Sequence, residues 1–263
     1  MLSLPRAMLF SLLATCTLWV TPGFAYTYES LVGEGCHETM AASALREVRL
    51  EFATATPLPT SDADRLLIDD LPFRVVQDMR DIGAASLLVG VRENDVKGFS
   101  GIDTSALPHV HSIPAHQREH CLRRAEHDEP QGSIEALAEC RAFIESKLRG
   151  AIRDGLDENG FPDPERRESL RVHLVFRRQV TVDLPTFYLQ FGRALHTLQD
   201  SFTHAFRTPD HKRITVLSNW VDQVDDLVES RDGPPHLGQM DLCEGLDAFR
   251  SERLSMAQDR KSV

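Results

Sequence analysis

The chain has 263 residues, of which 41% are hydrophobic, and its formal net charge is −11. This length is sufficient for one well-packed hydrophobic core and leaves one or two domains open. Such an acidic surface repels nucleic-acid backbones and anionic membranes unless bound cations offset the charge, and no basic cluster argues for nucleic-acid binding.

The first 25 residues are typical of an export signal. Arg6 supplies a positive charge, the apolar stretch Met8–Val20 follows, and a small-x-small cleavage site ends at Ala25. The apolar stretch is shorter than the roughly 20 residues that a membrane-spanning helix needs. We therefore expect a secreted or periplasmic protein without a transmembrane span. A lipoprotein signal around Leu13–Cys16 is the less favoured alternative.

The remaining residues, 26–263, are predicted to form a single all-α domain of seven or eight helices, because strand signals are scarce. The predicted helices are, in chain order, Glu38–Glu51, one capped by Ser61 and divided at Pro72, Pro114–His127, one from Ser133 to about Arg153, Pro164–Val182, one opened by Pro185, Arg213–Glu229, and one from about Asp241. The segment Gly83–Gly101 is predicted as a loop and Asp157–Pro164 as a turn.

Four cysteines remain after the signal, at positions 36, 121, 140 and 243. An even number in an exported protein suggests two disulfides, for which three pairings are possible. We favour Cys121 with Cys140, which would join neighbouring helices, and Cys36 with Cys243, which would tie the chain ends together. No pair has the CxxC spacing of a cysteine-type zinc site.

The run ALHTLQDSFTHAF places His196, Asp200 and His204 four residues apart, twice over. In an α-helix these positions share one face, so two imidazoles and a carboxylate point the same way. Leu195, Leu198 and the phenylalanines of the run are apolar, which predicts a core helix with a stripe of metal ligands. The alternative is a hydrogen-bonded polar patch in the core.

One helix supplies at most three ligands to a site, so further candidates are needed. His37 begins a helix in GEGCHETM, Asp95 lies in a glycine-flanked loop, and His120 lies beside a cysteine in QREHCLRRAEHDEP. Each also has an alternative without a metal. His37 is then a residue at a helix start, Asp95 a turn aspartate and His120 a surface histidine.

The order of these residues resembles that of the zinc-dependent phospholipase C / P1 nuclease superfamily, whose members are exported all-α enzymes with a trinuclear zinc site. The segment LHTLQDSFTH is the most specific part of the resemblance. It implies that His37 is a ligand, that Asp95 and His120 bind one zinc pair, and that Asp200 is shared between His196 and His204. It also implies that Asp95 orients or deprotonates the attacking water.

Two departures from the family pattern concern the metal ligands. His204 follows Asp200 by only four residues, as in the relatives of heterokaryon-incompatibility C type. In place of the family's later His-xxx-Glu pair stand Ser218 and Asp222, which makes Asp222 the candidate ligand of a third ion. Two or three zinc ions are therefore expected.

The predicted function is an exported zinc-dependent phosphodiester hydrolase that acts on phospholipid, with nucleic acid as the less favoured substrate. Two zinc ions about 3.5–4 Å apart can activate a hydroxide and neutralise the charge that develops on phosphorus. The alternatives are a non-catalytic helical protein with a structural metal site, and a toxin or interaction module related to heterokaryon-incompatibility C proteins. The oligomeric state stays open.

Overall fold

A computed structural model describes residues 35–103, 105–107, 110, 113–124, 131–210 and 212–219. The predicted signal of residues 1–25, the candidate ligand Asp222, Cys243 and the last predicted helix lie outside these residues. Among the described residues, no helix is long and apolar enough to cross a membrane.

Helices account for 54% of the described residues. Within the described part of the chain, the α-helices include α1 (Cys36–Glu51), α2 (Asp62–Asp69), α3 (Ile82–Val96), α4 (Gln131–Gly155) and α5 (Thr186–Thr203), and 3₁₀ helices span Gln77–Met79 and Pro114–Glu119.

The chain also forms two small antiparallel sheets, so the predicted all-α class is wrong and the fold is mixed α and β. Strand β1 (Arg167–Leu174) pairs with β2 (Arg178–Pro185), and β3 (Ala205–Arg207) pairs with β4 (Ile214–Leu217). The predicted helices Pro164–Val182 and Arg213–Glu229 therefore contain strands over their described residues.

The β1–β2 hairpin shows why the helix prediction failed there. Leu170, Val172 and Leu174 are buried, whereas the residues between them are partly or fully exposed. This alternation has the two-residue period of a strand with one buried face, so Arg171 and His173 lie on its more exposed face. Arg178 has a φ of 58° where the chain reverses.

The predicted loop Gly83–Gly101 is also wrong, because α3 occupies most of it. Every residue of α3 except Glu93 is buried. A helix buried on all sides has no polar face, so its sequence lacks the amphipathic pattern on which helix prediction relies. The helix ends at Lys97, whose φ of 45° is in the left-handed region.

Helices α3 and α5 pack closely because two glycines face the neighbouring backbone. A Cβ at Gly90 would overlap the carbonyl oxygen of Leu189, and one at Gly192 would overlap that of Leu87. Around this contact lies the main hydrophobic core, to which α2, α3, α5 and the β1–β2 hairpin contribute. The crossing brings the C-terminal half of α3 next to the middle of α5.

Several local predictions are confirmed. Ser61 caps α2 in a reciprocal capping box with Asp64, and α2 ends before Pro72. Cys121 and Cys140 form a disulfide. Ser133, in contrast, lies within α4 rather than before it, and its hydroxyl accepts a hydrogen bond from the backbone N–H of Leu217 at 3.2 Å. The predicted Cys36–Cys243 bond involves a residue outside the described part of the chain.

Candidate metal centre

Four segments that are distant in sequence bring together the histidines and aspartates predicted as ligands within the described residues. Helix α1 supplies His37, the last turn of α3 supplies Asp95, and His120 follows the Pro114–Glu119 3₁₀ helix. Helix α5 supplies the remaining ligand candidates, and its C-cap is His204. The members of this centre are all fully buried: His37, Asp95, His120, His196, Asp200 and His204.

Two imidazole nitrogens of the centre lie close to each other and to carboxylate oxygens of two aspartates. Nδ1 of His120 lies 3.1 Å from Nε2 of His196, and Oδ2 of Asp200 lies 3.1 Å and 3.0 Å from these two nitrogens. Oδ1 of Asp95 lies 3.7 Å from each of the same nitrogens. A tetrahedral ion with bonds of about 2.0 to 2.2 Å holds its donors about 3.3 to 3.6 Å apart. The separations in this centre bracket that range, because the contacts of Asp200 are shorter and those of Asp95 are longer.

The second oxygen of Asp200 faces another histidine. Oδ1 of Asp200 lies 3.2 Å from Nε2 of His37, and the ring of His37 stacks on that of His196 with centroids 4.1 Å apart. His37, Asp95 and His196 form one group able to hold a metal ion, and His120, His196 and Asp200 form another. The two groups share His196, and the Asp200 carboxylate presents one oxygen to each side.

Burial controls the protonation of the two central histidines. It lowers the pKa of His196 to about 3, although the Asp200 carboxylate acts in the opposite direction. Burial also lowers the pKa of His120. Both imidazoles are therefore neutral at neutral pH, which is the form that binds a metal ion.

The pKa values of the two aspartates and of His37 are shifted as well. Burial raises the pKa of Asp95 well above its usual range. For Asp200, burial acts to raise the pKa, but His196, His204 and His37 outweigh it and hold the pKa well below the usual range. Burial likewise acts to lower the pKa of His37, but Asp200 and Asp95 raise it to about 9. Without a cation, the centre thus retains protons that a metal ion would displace.

The donor set passes a second test of fit to a metal. Oδ1 of Asp200 is buried and makes no hydrogen bond among the described residues, although Nε2 of His37 lies 3.2 Å from it. Buried polar atoms without partners are uncommon in native proteins and are often explained by an ion or a water. Each of the two groups offers two imidazoles and one carboxylate, which suit zinc and related divalent transition metals.

His204 contacts a backbone carbonyl rather than the ligand atoms of the other histidines. Its Nδ1 donates a hydrogen bond of 2.6 Å to the carbonyl oxygen of His120, and it lies 4.0 Å from Oδ2 of Asp200. Neither of the two metal-binding groups contains it. The hydrogen bond holds the backbone of one ligand against the end of the helix that carries two others.

Sequence reasoning missed three polar residues that hold the ligands in place. Oε1 of Gln199 accepts a hydrogen bond of 2.7 Å from Nδ1 of His37, which leaves Nε2 of that ring facing Asp200. Thr197 Oγ1 donates to the carbonyl oxygen of Glu119 at 2.6 Å, and Asn94 Nδ2 lies 3.3 Å from the same oxygen. The only signal in the sequence is that all three are polar residues within buried helices.

A buried ion pair lies beside the centre, at the first turn of α1. The carboxylate of Glu38 accepts a hydrogen bond of 2.9 Å from Nη1 of Arg92, and both side chains are buried. A cleft of about 420 Å³ opens against the same turn and is lined in part by Gly35 and Glu38, which flank Cys36 and His37. None of the six residues of the centre lines this cleft.

No family model matches the chain, and neither the curated proteins nor the solved structures contain one similar to it. The resemblance described above therefore depends on the ligand pattern alone.

Proposed function

We propose that this protein is an exported, zinc-dependent phosphodiester hydrolase, with phospholipid as the favoured substrate class and nucleic acid as the less favoured one. The observation that supports this proposal most is the pair of fully buried groups, His37–Asp95–His196 and His120–His196–Asp200, in each of which the ligand atoms lie close enough together to hold one metal ion. The second oxygen of Asp200, turned toward His37, favours two ions over one.

Zinc bound in pairs supplies a hydroxide at neutral pH and neutralises charge on a phosphodiester. The chain's own residues prepare the site for this role. Burial keeps His120 and His196 neutral, so they need not lose a proton before they bind. The hydrogen bond from His37 Nδ1 to Gln199 selects the tautomer whose Nε2 can act as a ligand.

Two parts of the predicted site stay predictions. Asp95 lies among the ligand nitrogens, which supports its role as a ligand, and the additional role of orienting or deprotonating water stays a prediction. A third ion held by Asp222 also stays a prediction, since that residue lies outside the described part of the chain.

The export of the protein is part of the proposal. The Cys121–Cys140 disulfide fits an oxidising compartment such as the periplasm or the extracellular medium. The predicted signal of residues 1–25 would direct the chain there.

A structural metal site without catalysis is a second candidate, and one observation favours it. All six side chains of the centre are fully buried, whereas a catalytic zinc keeps a position open for water or substrate. A closed tetrahedral site contributes to folding instead.

The test is to measure zinc content and hydrolysis of bis-p-nitrophenyl phosphate in the purified protein and in Asp200→Asn. We expect up to two or three zinc ions per wild-type chain with measurable turnover. In Asp200→Asn, zinc affinity should fall by at least about tenfold, because even residues outside the ligand shell cost 10–100-fold. Asp154→Asn is the matched control, because that carboxylate is exposed on α4 and pairs only with Arg153 among the described residues.

The outcomes separate the two candidates. Zinc binding and turnover that are both lost in Asp200→Asn would support the hydrolase. Tight zinc binding without turnover on diesters would favour the structural site. A wild-type protein that binds less than one metal ion per chain, with the same content in Asp200→Asn, would contradict both.

A further inference from the structure

A second cleft, of about 400 Å³, lies between the Pro114–Glu119 3₁₀ helix and α4. Its lining includes Pro114, Arg118, Arg124, Phe143 and Lys147. The Cys121–Cys140 disulfide joins the segment after the 3₁₀ helix to α4, so the two walls are covalently linked. A cleft of this size is in the range that binds small organic ligands. It shares no residue with the metal centre.

Two cations lie over one aromatic ring in this cleft. The Arg118 guanidinium is 5.9 Å from the centroid of Phe143, and Nζ of Lys147 is 5.1 Å from the same centroid. Within the described part of the chain, neither cation has a carboxylate partner. Arg124, in contrast, donates a 2.7 Å hydrogen bond to Glu139. Three basic side chains thus share the cleft with one acidic one.

The position of Lys147 makes this charge costly. Burial lowers the pKa of its ammonium group, and the positive charges of Arg193 and Lys97 lower it further, although the carboxylates of Glu119 and Glu168 act in the opposite direction. The ring of Phe143 offsets part of this cost, because the face of an aromatic ring attracts cations. An anion between the cations would relieve the rest. The chain as a whole has a net charge of −11, so this basic cleft is an exception on an acidic protein.

We propose that this cleft binds a phosphate monoester whose organic group packs on Phe143. A monoester is close to a dianion at neutral pH, so it matches the two unpaired cations. The guanidinium of Arg118 can bind phosphate oxygens in a bidentate manner and Lys147 can bind them as a point charge. The inference stands without the proposed hydrolase function, because none of its residues belongs to the metal centre.

The experiment measures binding of phenyl phosphate to the full chain by isothermal titration calorimetry. We expect saturable binding to the wild type, and about tenfold or more weaker binding to Lys147→Met and to Arg118→Gln, as for the loss of one charge-assisted hydrogen bond. Arg141→Gln is the matched control, because Arg141 is exposed on the same helix and does not line the cleft. Its affinity should stay within about twofold of the wild type, since exposed charges contribute little.

Two further experiments test whether the ligand is a lipid headgroup and whether binding occurs at the metal centre instead. Sedimentation with vesicles that contain phosphatidic acid tests whether a lipid headgroup enters the cleft, and Lys147→Met should weaken it only if it does. Binding of phenyl phosphate should persist after the metal has been removed with a chelator. Absence of saturable binding, equal affinity in Lys147→Met, equal losses in Arg141→Gln, or loss of binding on chelation would each overturn the inference.

Discussion

Asp64 connects two parts of the chain that lie about a hundred positions apart. Its carboxylate accepts hydrogen bonds from the N–H and hydroxyl of Ser61 in the capping box of α2. The same carboxylate accepts two hydrogen bonds from Arg167 of β1, at 2.8 Å and 3.1 Å. Burial acts to raise the pKa of Asp64, but Arg167 and Ser61 outweigh it and lower the pKa below its ordinary value.

This arrangement predicts a pH dependence of stability. Because the folded-state pKa lies below the unfolded one, the contribution of Asp64 is present above the unfolded value of 3.8 and is lost as the pH falls through the folded value. We expect Asp64→Asn to lower the free energy of unfolding by about 1–3 kcal/mol near pH 7, and by much less near pH 2. Urea denaturation at both pH values measures the difference.

Asp62→Asn is the control for this prediction. Asp62 lies on the same helix, is fully exposed and approaches only Arg65, at 3.8 Å, among the described residues. Its substitution should change the stability little at either pH. A loss in Asp64→Asn that is equally large at low pH would contradict the ionic explanation.

At the scale of the element, the close crossing of α3 and α5 sets the position of the ligands. Gly90 lies five residues before Asp95, and Gly192 lies four residues before His196. Because each glycine contacts the backbone of the other helix, the helix axes approach closely only where no Cβ intervenes. The facing ligands then come within the distances that a metal ion requires.

We therefore predict that Gly90→Ala separates the two helices and weakens zinc binding. The new methyl group would overlap the carbonyl oxygen of Leu189, which is backbone and cannot rotate away. The loss of stability should be about 1–3 kcal/mol, as for other overpacked cores, with a lower zinc content per chain. Thermal unfolding and metal analysis measure the two effects.

Gly150→Ala, on α4, is the control, and we expect it to raise the stability rather than lower it. A Cβ at Gly150 would meet nothing within 4 Å, so the substitution should stabilise α4 by about 0.5–1 kcal/mol through helix propensity. If Gly90→Ala were as harmless as Gly150→Ala, the close crossing could not be what positions the centre.

At the scale of the whole molecule, the centre joins α1, α3, α5 and the segment after the Pro114–Glu119 3₁₀ helix. These elements meet around acidic and imidazole groups that are fully buried. Ions that bind only the folded state stabilise it by mass action. A metal ion held by these groups would therefore link distant parts of the fold.

Chelation is expected to lower the melting temperature of the wild-type protein, and added zinc should restore it. At a free zinc concentration one hundred times the dissociation constant, binding contributes about 2.7 kcal/mol to the free energy of unfolding. Differential scanning calorimetry with and without chelator measures this. Asp200→Asn should melt at the same temperature in both conditions. A wild-type melting temperature that changes with neither zinc nor chelator would contradict a stabilising metal.

Local patterns in the sequence predicted a good part of this molecule. The four-residue spacing of His196 and Asp200 places them on one helix face, and the capping box at Ser61 marks the start of α2, because both depend on hydrogen bonds within a few residues. The pairing of Cys121 with Cys140 was likewise within reach, since the disulfide joins residues only 19 apart.

Only the tertiary structure decided which atoms form the centre. Burial on every side leaves α3 without an amphipathic pattern, so the sequence predicted a loop there. The structure instead places the candidate ligand Asp95 in the last turn of a buried helix, 3.7 Å from the facing nitrogens of His120 and His196. The register of the β1–β2 hairpin depends on which face the core covers. His204 shares the periodic spacing of the ligands, yet its Nδ1 binds the carbonyl oxygen of His120. Periodicity fixes the direction of a side chain from its own helix, but the partner that it meets is set by the packing of segments distant in the chain.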